Sequence, residues 1–409
     1  MDEFDVKSEI NRCFNCINKP CYKACPLNND IPNIITLMKN NNMKDAYSLL
    51  SSTTVLPSVC GRICPCERQC RSNCTRKYKG EAIDIGTIES FLGDMAISEG
   101  WKLSKLSDNL KGKKIAVIGS GPAGLTCAAF LKRNGAEITI YERKEHLGGL
   151  LRYGIPEFRL EKKLLDKAIG HICNTGINVV TNYNLNNQIE GLKSSYDAIF
   201  LSLGSNIPKK MNIAGENLPW VFDGNEILEN GITFDCVGKK VFVCGGGNVA
   251  LDTARTIKKL GASEVTILYR REEGKMPAEK REVATARKEK IEFRFNTNIL
   301  RIYEHDGNRK IECVDTCEVG LELKNVPDSK FELEADFVIM AIGSKPDENL
   351  IKKLGLETDK NGFLKIDENN RTSDSKIFAG GNLVGAKATV AYAARSGRDA
   401  ADSIMKILK

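Results

Sequence analysis

Nine of the fifteen cysteines lie within 62 residues near the start of the chain, where they form two runs. The cysteines of these runs are Cys13, Cys16, Cys21, Cys25, Cys60, Cys64, Cys66, Cys70 and Cys74. Thiols two to five residues apart can surround a metal ion or an iron–sulfur cluster, but they are poorly spaced for disulfides. Soft thiolate ligands favour iron–sulfur clusters or zinc over hard cations. The sequence therefore predicts a metal-binding region, with structural zinc open as an alternative to clusters.

The composition is typical of a globular protein with several domains. Hydrophobic residues make up 42% of the 409 residues and charged residues 28%. No apolar run approaches the roughly 20 residues of a membrane helix. We interpret the net charge of +7 as modest and spread along the chain, which argues against nucleic-acid binding but suits anionic dinucleotides or an acidic partner. Many thiols without an export signal predict a cytoplasmic protein that does not bind a membrane.

A short apolar strand, a glycine-rich turn, a helix pattern and a second strand follow one another twice, about 126 residues apart. The first copy begins at residues 115–118 and the second at 241–244. This arrangement is typical of βαβ units, and we expect two doubly wound α/β domains, the second inserted into the first. In front of them the chain is predicted to be mainly helical, with helices over residues 31–50 and 85–100.

The first copy contains the pattern GxGxxG between its strand and its helix. The residues of this loop are Gly119, Ser120, Gly121, Pro122, Ala123 and Gly124. Such glycines permit a tight turn and the close approach of a pyrophosphate, which the helix N-terminus attracts. Glu142 follows Gly119 by 23 residues, at the end of the second strand, where it can accept hydrogen bonds from a ribose. The pattern predicts a dinucleotide site rather than a turn that serves packing alone.

The second copy carries the variant GxGxxA, from Gly245 to Ala250. Where the first copy has Glu142, this copy has Arg270 and Arg271. A carboxylate there would repel the 2′-phosphate of NADPH, whereas guanidinium groups would bind it, so we expect NADPH in preference to NADH. The candidate residues for this coenzyme are Gly246, Gly247, Asn248, Val249, Arg270, Arg271, Ala341, Ile342 and Gly343.

Four longer motifs extend the pattern over nearly the whole chain. They are CGRICP at 60–65, IDIG at 83–86, GGLLRYGIPEFRL at 148–160, and YRR with MPA at 269–278. In these motifs the chain resembles the small subunit of NADPH-dependent glutamate synthase. It equally resembles the NAD(P)H-oxidising N-terminal half of dihydropyrimidine dehydrogenase and its stand-alone bacterial counterpart. The resemblance implies FAD in the first dinucleotide domain.

The resemblance also implies particular contacts and domain boundaries. The implied FAD contacts beyond the glycine loop are Glu142, Arg143, Gly149, Leu150, Arg159, Leu185, Gly204, Gly381, Asn382 and Thr389. We expect an α/β protein with a helical iron–sulfur domain over residues 1–108. A FAD-binding domain would follow over 109–235 and 344–409, with an NADP-binding domain over 236–343 inserted in it.

Two [4Fe–4S] clusters are implied by the same resemblance. Cys13, Cys16, Cys21 and Cys74 match the ligands of one cluster. The other cluster would be held by Cys25, Cys64, Cys70 and a carboxylate, Glu89. This assignment leaves Cys60 and Cys66 without a cluster, and an exchange of Cys66 for Cys64 stays open.

The resemblance implies that the protein is a FAD-dependent NAD(P)H oxidoreductase. It would carry electrons from NADPH through FAD and the clusters to a larger partner subunit. We name no catalytic side chain, because hydride transfer takes place on FAD. The leading prediction is a glutamate-synthase-like electron-input subunit. The alternatives are the corresponding subunit of a bacterial dihydropyrimidine dehydrogenase or of a bifurcating transhydrogenase. From another class, a zinc-stapled flavoprotein interaction module stays open.

Overall fold

A computed structural model describes residues 3–186, 188–320 and 322–409, which form two compact units. The first unit comprises the chain up to Arg152 together with Glu157–Ser205 and Pro346–Lys409. The second comprises Tyr153–Pro156 and Asn206–Lys345. The second unit thus begins about thirty residues before the boundary predicted at 236, because a strand at Val221–Asp223 joins its sheet.

The helices are distributed over the whole chain. They are α1 (Glu3–Arg12), α2 (Pro20–Ala24), α3 (Ile31–Lys39), α4 (Met43–Ser51), α5 (Pro57–Ile63), α6 (Ile85–Ser98), α7 (Pro122–Arg133), α8 (Leu150–Tyr153), α9 (Lys162–Cys173), α10 (Ile189–Ser195), α11 (Gly224–Asn230), α12 (Asn248–Lys259), α13 (Lys280–Lys288), α14 (Glu348–Lys353) and α15 (Val390–Leu408). Short 3₁₀ turns occupy Cys66–Arg68, Arg71–Asn73, Thr75–Lys79, Glu273–Lys275 and Gly381–Val384.

The strands follow the same order along the chain. They are β1 (Lys114–Ile118), β2 (Glu137–Tyr141), β3 (Asn178–Val180), β4 (Ala198–Leu201), β5 (Ile207–Pro208), β6 (Val221–Asp223), β7 (Lys240–Cys244), β8 (Glu264–Leu268), β9 (Glu292–Arg294), β10 (Thr297–His305), β11 (Asn308–Val319), β12 (Glu322–Glu334), β13 (Phe337–Met340), β14 (Ser344–Lys345) and β15 (Ile377–Ala379).

Each unit contains a five-stranded parallel sheet, as the two βαβ copies predict. In the first unit the order is β15-β4-β1-β2-β3, and in the second it is β6-β13-β7-β8-β9. The central strands β1 and β4 are almost completely buried, which is typical of a parallel sheet covered on both faces. In both sheets the glycine-rich loop follows the carboxyl end of a central strand, at the edge where α/β folds bind their ligands.

The N-terminal helices differ from the prediction at one point. The helix expected over residues 31–50 is two helices, α3 and α4, because Asn41 adopts a positive φ of 57° between them. Asn42 then caps α4, since its side chain accepts a hydrogen bond from Asp45 N. The helix expected over residues 85–100 is confirmed as α6.

Polar contacts attach these helices to the first dinucleotide-binding sheet, and the two parts belong to one unit. Arg133 of α7 donates a hydrogen bond of 2.6 Å to the main-chain oxygen of Ser51. The hydroxyl of Tyr47 and Nε2 of His171 share a hydrogen bond of 2.7 Å between α4 and α9. The iron–sulfur candidate region is therefore fixed to the flavin-type sheet by more than apolar packing.

The pair of Tyr47 and His171 gives a prediction for pH. Burial lowers the pKa of His171 in the folded protein. A lowered pKa means that the unfolded chain binds the proton more strongly, so this contribution to stability is present above about pH 6.5 and is lost as the pH falls, by at most about 1.4 kcal/mol per pH unit. We expect the thermal unfolding midpoint to fall less between pH 7.5 and 5.5 in His171→Gln than in the wild type. Tyr47→Phe, which keeps the imidazole, should retain the pH slope, and equal slopes in His171→Gln and the wild type would refute this role.

Candidate functional site

The first glycine loop has the shape of a phosphate cradle. Gly119 adopts φ +97°, and a Cβ on Gly124 would lie 2.0 Å from the main-chain oxygen of Gly119. A Cβ on Gly121 would meet no described atom within 4 Å. Gly121 is the N-cap residue of α7, so open space lies directly in front of a helix N-terminus, where backbone N–H groups favour an anion. This loop fits the pyrophosphate of a dinucleotide.

Glu142 follows the end of β2, as the sequence predicts, and lies directly against this loop. It is 5% exposed, and its Oε2 accepts a hydrogen bond of 3.0 Å from Ser120 N. The other oxygen accepts one of 3.0 Å from Lys144 N. Oε2 also accepts a hydrogen bond of 2.5 Å from the Ser120 hydroxyl, so it is the second lone pair of Oε1 that can accept a hydrogen bond from a ribose hydroxyl.

Most of the other predicted flavin contacts come together around the same loop. A Cβ on Gly149 would lie 2.9 Å from the Cα of Gly121. A Cβ on Gly381 would lie 3.1 Å from the Cβ of Ala123. The main-chain oxygen of Asn382 accepts a hydrogen bond of 2.9 Å from Ser205, the residue after Gly204. Thr389 caps α15, since its hydroxyl accepts a hydrogen bond from Tyr392 N.

The remaining predicted flavin contacts are placed differently. Leu185 is 5% exposed and packs in the hydrophobic core of this unit, so its side chain is a core residue. Arg143 and Leu150 are exposed, and Arg159 is half-buried. The flavin-binding role of these four side chains therefore stays a prediction.

Two glycines of the loop allow cofactor binding to be separated from folding. Gly121→Ala places a methyl group in the open space before α7, so we expect a folded protein that loses most of its FAD. Gly124→Ala places a methyl group 2.0 Å from a carbonyl oxygen, so we expect loss of folded protein. The ratio of flavin to protein after purification and the circular dichroism of each variant measure the two effects. A Gly121→Ala protein with full flavin content would contradict the assigned cradle.

The second glycine loop is built in the same way. Gly245 adopts φ +144°, and a Cβ there would lie 2.2 Å from the main-chain oxygen of Ala341. A Cβ on Gly246 would lie 2.4 Å from the ring of Tyr269. Gly247 is the N-cap residue of α12, and a Cβ on it would meet no described atom within 4 Å. A second anion can therefore reach a helix N-terminus in this unit.

Residues that follow the second glycine loop hold it in place. The side-chain oxygen of Asn248 accepts a hydrogen bond of 3.2 Å from the main chain of Glu279. Val249 packs against the hydrophobic core, and Ala341, Ile342 and Gly343 follow β13, with Gly343 at φ +105°. Sequence reasoning singled out the MPA motif but missed Glu279, whose side chain is almost fully buried.

The two arginines after β8 are not equivalent. Arg270 is exposed at the carboxyl end of the strand. Arg271 is half-buried, and its Nε lies 3.4 Å from a carboxylate oxygen of Glu318, which also pairs with Lys275. Because a phosphate would compete with Glu318 for Arg271, Arg270 is the better placed cation for a 2′-phosphate.

The first set of cysteines comes together as the resemblance implies. Cys13, Cys16, Cys21 and Cys74 are all half-buried. Burial raises the pKa of the Cys21 thiol to about 11, with Cys13 and Cys74 close enough to add to the effect. The sulfur of Cys16 lies 3.0 Å from the hydroxyl of Thr75, next to Cys74.

The second set is buried and includes two further thiols. Cys25, Cys64 and Cys70 are buried, and so are the unassigned Cys60 and Cys66. The pKa of the Cys64 thiol is raised mainly by a hydrogen bond with Cys60 and also by burial. The pKa of the Cys70 thiol is raised in the same way, mainly by a hydrogen bond with Cys66. The arrangement thus offers five thiols where the resemblance assigns three.

Glu89 lies among these buried thiols. It keeps some accessible surface, which borders a small cavity lined also by Asn29, Ile31 and Leu50. Burial raises the pKa of its carboxyl, and the nearby Cys60 and Cys66 raise it further. The amide of Asn29 donates a hydrogen bond of 3.3 Å to Glu89. An anion in such a place costs several kcal/mol unless a cation or a metal compensates it.

The donors of both sets fit iron–sulfur clusters. Thiolates and a carboxylate that burial disfavours as anions gain a compensating positive charge when they bind iron. Among the described residues, no three Cys, His, Asp or Glu side chains are arranged to hold a single metal ion. Burial and mutual proximity of the thiols support the two ligand sets, and their assignment to two clusters stays a prediction.

Sequence reasoning missed the residues that connect this region to the flavin-type site. Arg398 of α15 donates hydrogen bonds of 2.9 Å to the main-chain oxygen of Leu27 and 2.8 Å to that of Thr53. Thr53 in turn donates one of 2.7 Å to the side chain of Asn29, the partner of Glu89. Arg398 lies more than 340 residues from Thr53 in the sequence, so no local pattern could reveal the contact.

Comparison with known families and proteins agrees with both parts of the chain. Residues 113–397 match the family described as pyridine nucleotide-disulphide oxidoreductase. Residues 1–101 match the family described as dihydropyrimidine dehydrogenase domain II, 4Fe-4S cluster. The small chain of the NADPH glutamate synthase of Escherichia coli K12 is 36% identical over 100% of this chain and 92% of its own length. The NAD-dependent dihydropyrimidine dehydrogenase subunit PreT of the same organism is 31% identical over 98% and 94%.

Solved structures show a similar dinucleotide-binding fold. FprA from Mycobacterium tuberculosis in complex with NADPH aligns with a TM-score of 0.63 at 18% identity, over 72% of this chain and 84% of FprA. At this level of identity the similarity concerns the fold alone. Within the part of the chain that the structure describes, no helix is both long enough and apolar enough to cross a membrane.

Proposed function

The chain belongs to the pyridine nucleotide-disulphide oxidoreductase family and is 31–36% identical to three glutamate synthase small chains, and from this premise we propose that it is an NADPH-oxidising electron-input subunit. The observation that carries the proposal is that one compact unit holds a flavin-type cradle and two sets of cluster donors. Arg398 binds the loop after Cys25 from the helix that follows the flavin motif. Such a unit brings a hydride-accepting cofactor and one-electron carriers together.

The residues of the chain then bind and orient the cofactors. FAD, when bound, exchanges a hydride with a nicotinamide and single electrons with iron–sulfur clusters. The open space before α7 receives its pyrophosphate, and Glu142 binds its ribose. The open space before α12 receives the pyrophosphate of NADPH. Hydride transfer needs orientation of the two rings rather than a protein acid or base.

The preference for NADPH and the presence of two clusters are parts of this proposal. Exposed Arg270 at the end of β8 supports NADPH, because a guanidinium favours the extra phosphate. One half-buried and one buried set of donors support two clusters, the first with Cys13, Cys16, Cys21 and Cys74 and the second with Cys25, Cys64, Cys70 and Glu89.

A larger partner subunit is the proposed destination of the electrons. One similar protein is named the small chain of a glutamate synthase and another a subunit of a dihydropyrimidine dehydrogenase, and these names support a hetero-oligomer. The glutamate-synthase-like role is favoured over the pyrimidine role, because the relative that is 36% identical is named for NADPH and the one that is 31% identical for NAD. Exposed Arg270 favours the same choice.

Reconstitution with defined partners tests the proposed function. The purified protein is mixed either with a glutamate synthase large chain or with a pyrimidine-reducing subunit, each with its own substrates. We expect NADPH oxidation that depends on the large chain and its substrates. NADPH oxidation that depends only on the pyrimidine-reducing subunit, or whose rate changes with neither partner, would overturn the glutamate-synthase-like role.

A further inference from the structure

Two short segments around the cysteines are rich in cations and poor in acids. Residues 12–23 carry three cations and no acid, and residues 68–81 carry five cations and one acid. Together they hold a net charge of +7, which equals the formal net charge of all 409 residues. The rest of the chain carries equal numbers of cations and acids, 52 of each.

The two segments lie against each other beside the half-buried thiols. The sulfur of Cys16 lies 3.0 Å from the hydroxyl of Thr75. The guanidinium carbon of Arg76 lies 4.7 Å from the centre of the Phe14 ring, and the ammonium group of Lys79 lies 5.9 Å from it. Arg76 and Lys79 therefore form a basic surface around Phe14, beside the first set of cluster donors, whereas Arg12 and Lys19 of the first segment are paired with Glu9 and Asp30.

Three large apolar side chains are exposed on this basic surface. Ile17 is 97% exposed, Tyr78 is 78% exposed and Phe14 is 47% exposed. The ammonium group of Lys77 lies 5.2 Å from the centre of the Tyr78 ring. A single exposed apolar residue needs no explanation, but three of them within the two basic segments match the apolar centre and polar rim of a protein interface.

The place of this surface in the protein suits electron exit. The four thiols of the first set are half-buried, whereas Cys25, Cys64 and Cys70 of the second set are buried. A protein seated on the basic surface would therefore come closer to the first set than to the second. Because electron exchange weakens steeply with distance, the first set is the better exit.

We propose that this surface docks an electron-accepting protein whose contacting face is acidic around an apolar centre. We call it the exit surface and define it by Phe14, Ile17, Arg76, Lys77, Tyr78 and Lys79. The proposal rests on the proposed function, and it adds the chemistry of the partner. Opposite charges steer the encounter, and the apolar centre supplies short-range attraction.

Cytochrome c in two charge forms tests the exit surface. Native cytochrome c is basic, and its succinylated form is acidic with the same haem. With NADPH under anaerobic conditions at low ionic strength, we expect the succinylated form to be reduced at least tenfold faster, and the difference to shrink as salt is added. Equal rates for the two forms would overturn the proposal.

Charge reversal on the surface provides the matched comparison. Lys77→Glu with Lys79→Glu should lower the rate with succinylated cytochrome c at least tenfold. Lys352→Glu with Lys353→Glu, which changes two exposed lysines of α14, should leave that rate within twofold of the wild type. An equal loss in both double variants would show a general charge effect and would overturn the assignment of the surface.

The apolar centre has its own control. Ile17→Ser should raise the apparent KM for succinylated cytochrome c at least threefold, whereas Val237→Ser, at a residue that is 65% exposed in the second unit, should not. Iron content and NADPH oxidation by the neutral acceptor menadione are measured in every protein. Normal menadione turnover with no preference between the cytochromes contradicts the exit surface, whereas a wild type without menadione turnover contradicts the proposed function.

Discussion

Replacing Glu89 by alanine is expected to lower the iron content from about eight atoms per chain to about four. Glu89 lies among buried thiols and is the carboxylate assigned to the second cluster. Alanine supplies no ligand in place of the carboxylate. Iron and sulfide analysis of the purified protein, with electron paramagnetic resonance of the reduced sample, measures the loss.

The conservative variant separates ligation from charge. Glu89→Gln keeps an oxygen donor but removes a negative charge, so we expect full iron content and a higher midpoint potential of one cluster. Cys60→Ser is the matched control, because Cys60 is buried beside Glu89 but is not assigned as a ligand. Full iron in Glu89→Ala with unchanged spectra, or equal iron loss in Cys60→Ser, would refute the assignment.

Replacing Arg270 and Arg271 together by alanine is expected to raise the apparent KM for NADPH about 10- to 100-fold, the loss of about 1.5–3 kcal/mol from hydrogen bonds between charged groups. The apparent KM for NADH should change little, because NADH has no 2′-phosphate. Steady-state kinetics with menadione and each coenzyme measure both values.

The single variants identify which guanidinium carries the effect. Arg271 already pairs with Glu318 at 3.4 Å, whereas Arg270 is exposed at the end of β8. We therefore expect Arg270→Ala to reproduce most of the change and Arg271→Ala to give a small part of it. An equal rise of KM for NADPH and NADH would exclude a 2′-phosphate role for both residues.

Local patterns predicted the parts of the fold that local forces determine. The GxGxxG loop and Glu142 belong to one βαβ unit, as predicted, although the hydrogen bond of 3.0 Å from Ser120 N to Glu142 was not. The helix over residues 31–50 was predicted as continuous, but Asn41 at positive φ divides it. An asparagine tolerates this conformation at low cost, which the apolar spacing of the flanking residues does not reveal.

Contacts between distant segments were beyond prediction from sequence. The hydrogen bonds of Arg398 to Leu27 and Thr53 depend on the tertiary fold alone. The side chain of Leu185 packs in the core, a placement that the residues around it in the sequence do not reveal. The assignment of Glu89 came only through resemblance, since a glutamate on an amphipathic helix is usually a solvated residue.

An anaerobic titration of the purified protein with NADPH tests the central claim most directly. Iron, sulfide, zinc and flavin are quantified in the same sample, and dithionite completes the reduction of low-potential clusters. FAD accepts two electrons and each cluster one, so the account predicts an uptake of about four electrons per chain. Uptake of about two electrons, with zinc present and sulfide absent, would contradict it and make the cysteine region a structural metal site.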